Sequence, residues 1–171
     1  AKSSIGHIQC NNKRKFATMW KDGVNLVICT DCRLKDNVGT KGVIIEPEGC
    51  HGEGITDMSA EECTGVTLNS TRDELRAQMS AEAILDKCGE LWEKAIPRTV
   101  TLVCDSKSAI RLLKPPKNKW TKRNVLTKKS YILTTIERLK SEIDSIKRVY
   151  EWQKSHVKKA PMTREIIRTK R

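Results

Sequence analysis

No apolar run in this 171-residue chain approaches the roughly 18 residues that a membrane-crossing helix needs. Its start, Ala1-Lys2-Ser3-Ser4-Ile5-Gly6, lacks both an initiator Met and the apolar stretch of a signal peptide. No membrane partner is therefore expected, and the chain reads as a piece of a larger polypeptide. Aromatic residues are scarce too, 4% against 32% charged, and no repeat or low-complexity tract interrupts the sequence. That size and composition fit one polar domain with a real core and leave too little for two. Acids are missing from one part of the chain. From Lys107 to Arg171 there are 20 Lys/Arg against 5 Asp/Glu, whereas residues 1–105 hold 13 against 16. The net charge of +12 is thus a surplus of 15 in one part and a deficit of 3 in the other. A basic track attracts polyanions, and an acid-rich part beside it is what a carboxylate site holding cations requires. The plainer readings are a solvated basic face or a ribosomal-type RNA contact.

Cysteine is the residue in excess. Seven of them, at positions 10, 29, 32, 50, 63, 88 and 104, are an odd number in a chain with no secretion signal. The expectation is reduced thiols in an intracellular compartment, with nucleus, cytoplasm and organelle matrix indistinguishable. Fragments of a zinc site exist in Cys29-x-x-Cys32, His7-x-x-Cys10 and Cys50-His51. No second CxxC follows at finger spacing, so zinc is not expected.

Residues 1–23, with Lys13-Arg14-Lys15 and Trp20, read as a basic lead-in or linker. Val24 to Thr30 is a β-branched, almost continuous apolar run, the pattern of a strand buried on both faces. Lys41 to Ile45 and Cys63 to Leu68 are predicted as its antiparallel partners, separated by a long loop over the Gly/Glu-rich stretch Glu46 to Glu62. Ser70 or Thr71 then offers an N-cap, Asp73 and Glu74 suit a first helical turn, and apolar residues recur at Leu75, Met79, Leu85, Cys88 and Trp92. Pro97 stops that helix, and Thr99 to Cys104 is a second β-branched run leading to Asp105. A short helix over Ser106 to Leu113 closes at Pro115-Pro116. Ile132, Ile136, Leu139, Ile143 and Ile146 mark an amphipathic helix, and Arg148 to Gln153 a last strand. The predicted order is βββαβααβ, with the domain spanning residues 24–160 and a basic tail or truncated last helix over 161–171.

Two of these strands are expected to end in an acid, Asp31 and Asp105. Parallel and adjacent in one sheet, they would deliver both carboxylates to the same carboxyl edge, where open α/β sheets place their ligands. A third acid from a helix would complete a hard-oxygen cage for Mg²⁺ or Mn²⁺. The ordinary alternatives make Asp31 a turn acid and Asp105 the N-cap of the helix after it.

With those residues in order, the sequence resembles the ribonuclease H family. Thr30-Asp31-Cys32-Arg33 leads through Gly39 and Gly42 to Val43, as the family's Thr-Asp-Gly-Ser leads into a hairpin, with Cys32 in place of Gly. Glu74-Leu75-Arg76-Ala77, continued by Ala81 and Leu85 behind Asn69-Ser70-Thr71, is similar to its first helix. Asp105-Ser106 matches the end of its fourth strand, and Trp152 followed by His156 its last. The 31-residue interval from Glu74 to Asp105 looks most like the ribonuclease H domains of long interspersed retrotransposons.

The resemblance implies an α/β fold with a five-stranded mixed sheet, order 3-2-1-4-5, flanked by helices. It implies hydrolysis of the RNA strand of RNA·DNA hybrids with two Mg²⁺ or Mn²⁺ ions held by Asp31, Glu74 and Asp105. Glu165 is the one residue available as a fourth acid, since the family's Asn-x-x-x-Asp after the His is not visible, and His156 would shuttle a proton. Glu82, eight residues beyond Glu74, is the rival helix ligand, but only Glu74 carries the family pattern. Lys114, Lys117, Lys119, Lys122 and Arg123 around Trp120 resemble a basic protrusion that holds the DNA strand, and lysines around an indole suit phosphates and a base on physical grounds alone. The implied partners are RNA·DNA hybrid or structured RNA, other domains of a larger polypeptide, or a ribonucleoprotein. Two other readings remain open. One is an integrase or transposase using Glu137 or Glu142. The other is a degenerate, inactive ribonuclease H-like module that binds RNA or serves as a scaffold.

Overall fold

The apolar runs and amphipathic stretches form ten elements in the computed structural model, which describes residues 7–35, 38–50, 52, 54–62, 70–92, 97–114 and 130–154. In chain order these are β1 (His7–Cys10), α1 (Lys13–Lys21), β2 (Leu26–Lys35), β3 (Val38–Pro47), β4 (Ile55–Glu62), α2 (Ser70–Leu91), β5 (Arg98–Cys104), α3 (Lys107–Leu113), α4 (Ser130–Glu142) and β6 (Ile146–Trp152). The strands form one six-stranded sheet in the order β1-β4-β3-β2-β5-β6. β2, β3 and β4 are an antiparallel meander, while β5 and β6 join β2 in parallel. The expected order 3-2-1-4-5 is therefore β4-β3-β2-β5-β6, and β1 adds a sixth strand beside β4.

β2 is central because its apolar residues alternate into two cores. Leu26 and Ile28 join Val43, Ile45, Val100 and Leu102 under the helices, while Val27 and Cys29 pack with Val103 on the other face. α2, with 22 residues or about six turns, is buried on two sides. Ala77, Ala81, Ile84, Leu85 and Cys88 face the sheet, and the two small alanines let the helix axis come close to it. Leu75, Met79 and Ala83 pack against Ala109 and Leu113 of α3 and Ile132, Leu133, Ile136 and Leu139 of α4.

Three sequence expectations need correction. Residues 7–22, expected within a basic lead-in, form β1 and α1, and α1 belongs to the core. Phe16 and Trp20, four apart on one helix face, are each 1% exposed and pack against Trp92. Arg98 lies 4.1 Å over the Trp20 ring and donates to the Trp20 and Val24 carbonyls. The exposed Lys13-Arg14-Lys15 concealed this apolar stripe.

The loop expected over Glu46 to Glu62 is instead the end of β3, a turn and β4. Charge hid the alternation, because Asp57 is buried in register with Val43. At Gly54 a Cβ would lie 2.0 Å from the Ile45 carbonyl oxygen, so only glycine lets β4 enter beside β3. The third correction concerns the late helix. α4 stops at Glu142, Ile143 follows in a turn and Ile146 opens β6. The strand expected over Cys63 to Leu68 and the tail over 161–171 lie outside the described residues. Among the described residues no helix is long and apolar enough to cross a membrane.

Candidate active site

β2 and β5 are paired only from Leu26↔Val100 to Cys29↔Val103. Beyond that point β2 continues to Lys35 with β3, while β5 ends at Cys104 and the chain turns into α3. The two parallel strands thus part just before Asp31 and Asp105, leaving a notch at the carboxyl edge of the sheet. Neither of the ordinary alternatives for these acids holds. Asp31 lies inside a strand rather than in a turn, and the N-cap of α3 is Ser106, whose hydroxyl accepts from the Ala109 amide at 3.1 Å.

Side-chain alternation sends Thr30 to the face that α2 covers, whereas Asp31 follows Val27 and Cys29 on the other. Thr30 Oγ1 donates to Glu74 Oε1 at 2.5 Å and accepts from Gln78 Nε2, one helical turn further on, at 2.8 Å. Glu74 is fully buried, its Oε2 has no N–H or O–H donor among the described residues, and the Cys32 thiol also hydrogen-bonds its carboxylate. Asp73 is also buried, with its carboxylate pressed so closely on the β2–β3 hairpin that a Cβ at Gly39 would lie 2.7 Å from it. Asp105 is held through its backbone: its carbonyl accepts the Trp152 indole N–H at 3.0 Å, and the Gln153 amide bonds the Cys104 carbonyl at 3.0 Å.

The electrostatics tie these acids together. The pKa of Glu74 is pushed up to about 7, first by burial, against the hydrogen bond from Thr30, and further by the negative charges of Asp105 and Asp31. A carboxylate whose like-charged neighbours raise it in this way is one that a bound cation would relieve. The same cluster acts on two thiols. Burial and then the charge of Glu74 push Cys104 up to about 12 and Cys32 beyond the ordinary thiol range, so neither is a thiolate nucleophile near neutral pH.

No protein-family model matches this chain, and no curated protein does. Solved structures do. The N-terminal RNase H domain of a Mycobacterium tuberculosis protein, solved as a fusion with maltose-binding protein, superposes with a TM-score of 0.52 at 19% identity, over 77% of this chain and 83% of that one. LC9-RNase H1, a type 1 RNase H with the type 2 active-site motif, gives a TM-score of 0.52 at 18% identity, over 78% of this chain and 64% of that one. The chain has the ribonuclease H-like fold.

Within the ribonuclease H-like frame, Asp31, Glu74 and Asp105 come together in one electrostatic cluster. They do not form a ready-made cage: among the described residues no group of three His, Cys, Asp or Glu side chains is placed to hold a metal ion. Glu82 is occupied elsewhere, in a buried bidentate pair with Arg148 at 2.8–3.2 Å. Glu137 pairs with Lys140 at 3.3 Å and lines a cavity near the start of β6 with Arg148 and Tyr150, whereas Asp105 stands at that strand's other end. Glu142 is exposed at the end of α4. Lys114 caps the C-terminal end of α3, exposed. Lys117, Lys119, Trp120, Lys122, Arg123, His156 and Glu165 lie outside the described residues. The sequence reading missed Thr30 and Gln78, the partners that orient Glu74, although Gln78 stands four residues from it on the same helix face.

Proposed function

We propose that this domain is a metal-dependent endonuclease that hydrolyses the RNA strand of RNA·DNA hybrids. The observation that carries the proposal is the shared field of Asp31, Glu74 and Asp105 at the notch where β2 and β5 part. The donor set suits a hard divalent cation. It consists of carboxylate oxygens, one of them buried without an N–H or O–H donor, and burial first, with the charges of Asp105 and Asp31 adding to it, pushes Glu74 up to about 7. Asp31, Glu74 and Asp105 would hold Mg²⁺ or Mn²⁺, which when bound clamps a scissile phosphate and lowers the pKa of a water. The chain's own contribution is orientation. Gln78 fixes the Thr30 hydroxyl, Thr30 fixes one oxygen of Glu74, and the Trp152 and Gln153 bonds fix the peptides around Asp105. Glu165 is the candidate fourth ligand and His156 the candidate proton carrier. The basic surplus after Lys107, including Lys114 to Arg123, supplies phosphate contacts. A reverse-transcribing element is the setting we infer, from the spacing of Glu74 and Asp105.

Two observations favour a second reading, a metal-free module that binds RNA as part of a larger assembly. Glu74 already has a protein donor in Thr30, and a cysteine stands directly after Asp31. A labelled hybrid incubated with Mg²⁺ or Mn²⁺ separates the two readings. Nuclease activity predicts RNA-strand cleavage that Asp31→Asn, Glu74→Gln and Asp105→Asn each reduce by more than the roughly 10–100-fold typical of losing an outer-shell partner, with hybrid binding retained. A wild-type domain inert with both ions yet binding hybrid normally would give the case to the second reading.

A further inference from the structure

Trp152 is the last residue of β6 and leaves 43% of its surface exposed, an unusual place for the most costly side chain to leave in water. It is not loose. Its indole N–H is bonded to the Asp105 carbonyl at 3.0 Å, and the Lys107 ammonium sits 4.2 Å over its ring. Lys107 is itself exposed and lies two residues beyond Asp105, and Lys154, two beyond Trp152, is exposed as well. An oriented aromatic face, with a cation resting on it, therefore adjoins the carboxylate cluster.

We infer that Trp152 and Lys107 form a nucleic-acid contact flanking the site, in which Lys107 takes a backbone phosphate and the indole takes the adjoining sugar or base. The inference rests on the reading that this domain engages nucleic acid, but it does not require cleavage. An exposed cation–π pair is weak, so a phosphate can draw Lys107 off the ring at little cost. The ring face thereby freed is a stacking platform that accepts any base. The hydrogen bond to Asp105 fixes where that platform stands relative to the cluster, so a strand seated on Trp152 is held in register with the acids. The basic segment at Lys114 to Arg123 follows α3 in the sequence, whereas Lys107 is the first residue of that helix, giving the strand a second point of attachment.

Binding of a fluorescein-labelled RNA·DNA hybrid in EDTA, where no metal-dependent cleavage occurs, tests the contact over a range of salt concentrations. Trp152→Ala is expected to weaken binding about tenfold. Trp152→Phe, which keeps a ring face but loses the N–H donor, is expected to weaken it less than about threefold. Lys107→Ala is expected to lower the slope of log affinity against log salt by about one. Thermal melts of each variant show whether it is folded. Should Trp152→Ala fail to fold, Trp152→Phe and Lys107→Ala decide the matter. Hybrid affinity and salt slope unchanged in the folded variants would overturn the contact. A Trp152→Phe defect as deep as that of Trp152→Ala would also overturn it, because the indole N–H alone would then be the part that matters. A wild-type domain that binds no hybrid would do the same. Weakened binding in variants of a protein that never cleaves would uphold the contact and defeat the nuclease reading, while cleavage with unaffected binding would do the reverse.

Discussion

At Glu74, burial and then the charges of Asp105 and Asp31 all favour the neutral form of the carboxyl. Its folded-state pKa of about 7 stands above the 4.5 of an unperturbed glutamate, so folding favours the protonated carboxyl. The contribution is fully present below about pH 4.5 and is lost as pH rises through about 7. A displacement of that size corresponds to about 3 kcal/mol between the limits. Glu74→Gln, similar in shape and always neutral, should therefore raise the melting temperature in EDTA at pH 8 and change it little at pH 4.5. Addition of Mg²⁺ at pH 8 should stabilise the wild type more than the variant. Parallel pH profiles for the two proteins would contradict the placement of Glu74 among buried acids. The placement of Asp31 on β2, Glu74 on α2 and Asp105 just after β5 was legible in the sequence, because each stands at the end or start of a clear apolar pattern. Thr30 and Gln78 were not, since a threonine ending an apolar run and a glutamine inside a helix look like surface residues until the pairing of β2 with α2 buries them.

The elements that frame the site were read well where their apolar period was unbroken, as in β2, β5 and α2, and poorly where charge overlaid it. α1 is the instructive case. Its two aromatic residues close the sheet at the end opposite the carboxyl edge, near the start of β5, and Arg98 bridges helix and strand. Trp20→Ala should cost about 3–5 kcal/mol of unfolding free energy, read from the shift in denaturant midpoint. Deletion of residues 1–23 should abolish cooperative unfolding. A truncated chain with an unchanged midpoint would show that α1 is an appendage after all. β4 escaped notice for the same reason: its inward row pairs Ile55 with a buried Asp57, and no hydropathy pattern announces a carboxylate facing inward.

Across the whole molecule, the charge is divided by sequence, with a deficit of 3 over residues 1–105 and a surplus of 15 from Lys107 to Arg171, and the exposed Lys107 stands two residues beyond Asp105. The cysteines are distributed in a comparably useful way. None of the six described cysteines forms a disulfide, and Cys29 in β2, Cys88 in α2 and Cys104 in β5 are buried in three different elements. Burial also pushes Cys88 and Cys104 up to about 12, so these two thiols should resist alkylation in the folded protein at neutral pH on two counts, access and ionisation. Each thiol becomes reactive only when its own element opens. Timed alkylation followed by peptide mass spectrometry should find the three labelled at rates equal within about twofold, if sheet and helix open as one unit. Early labelling of Cys88 alone would mean that α2 lifts from the sheet by itself, carrying Glu74 away from the aspartates. The chain thus contains its own clock for whether the site can come apart while the fold stays closed.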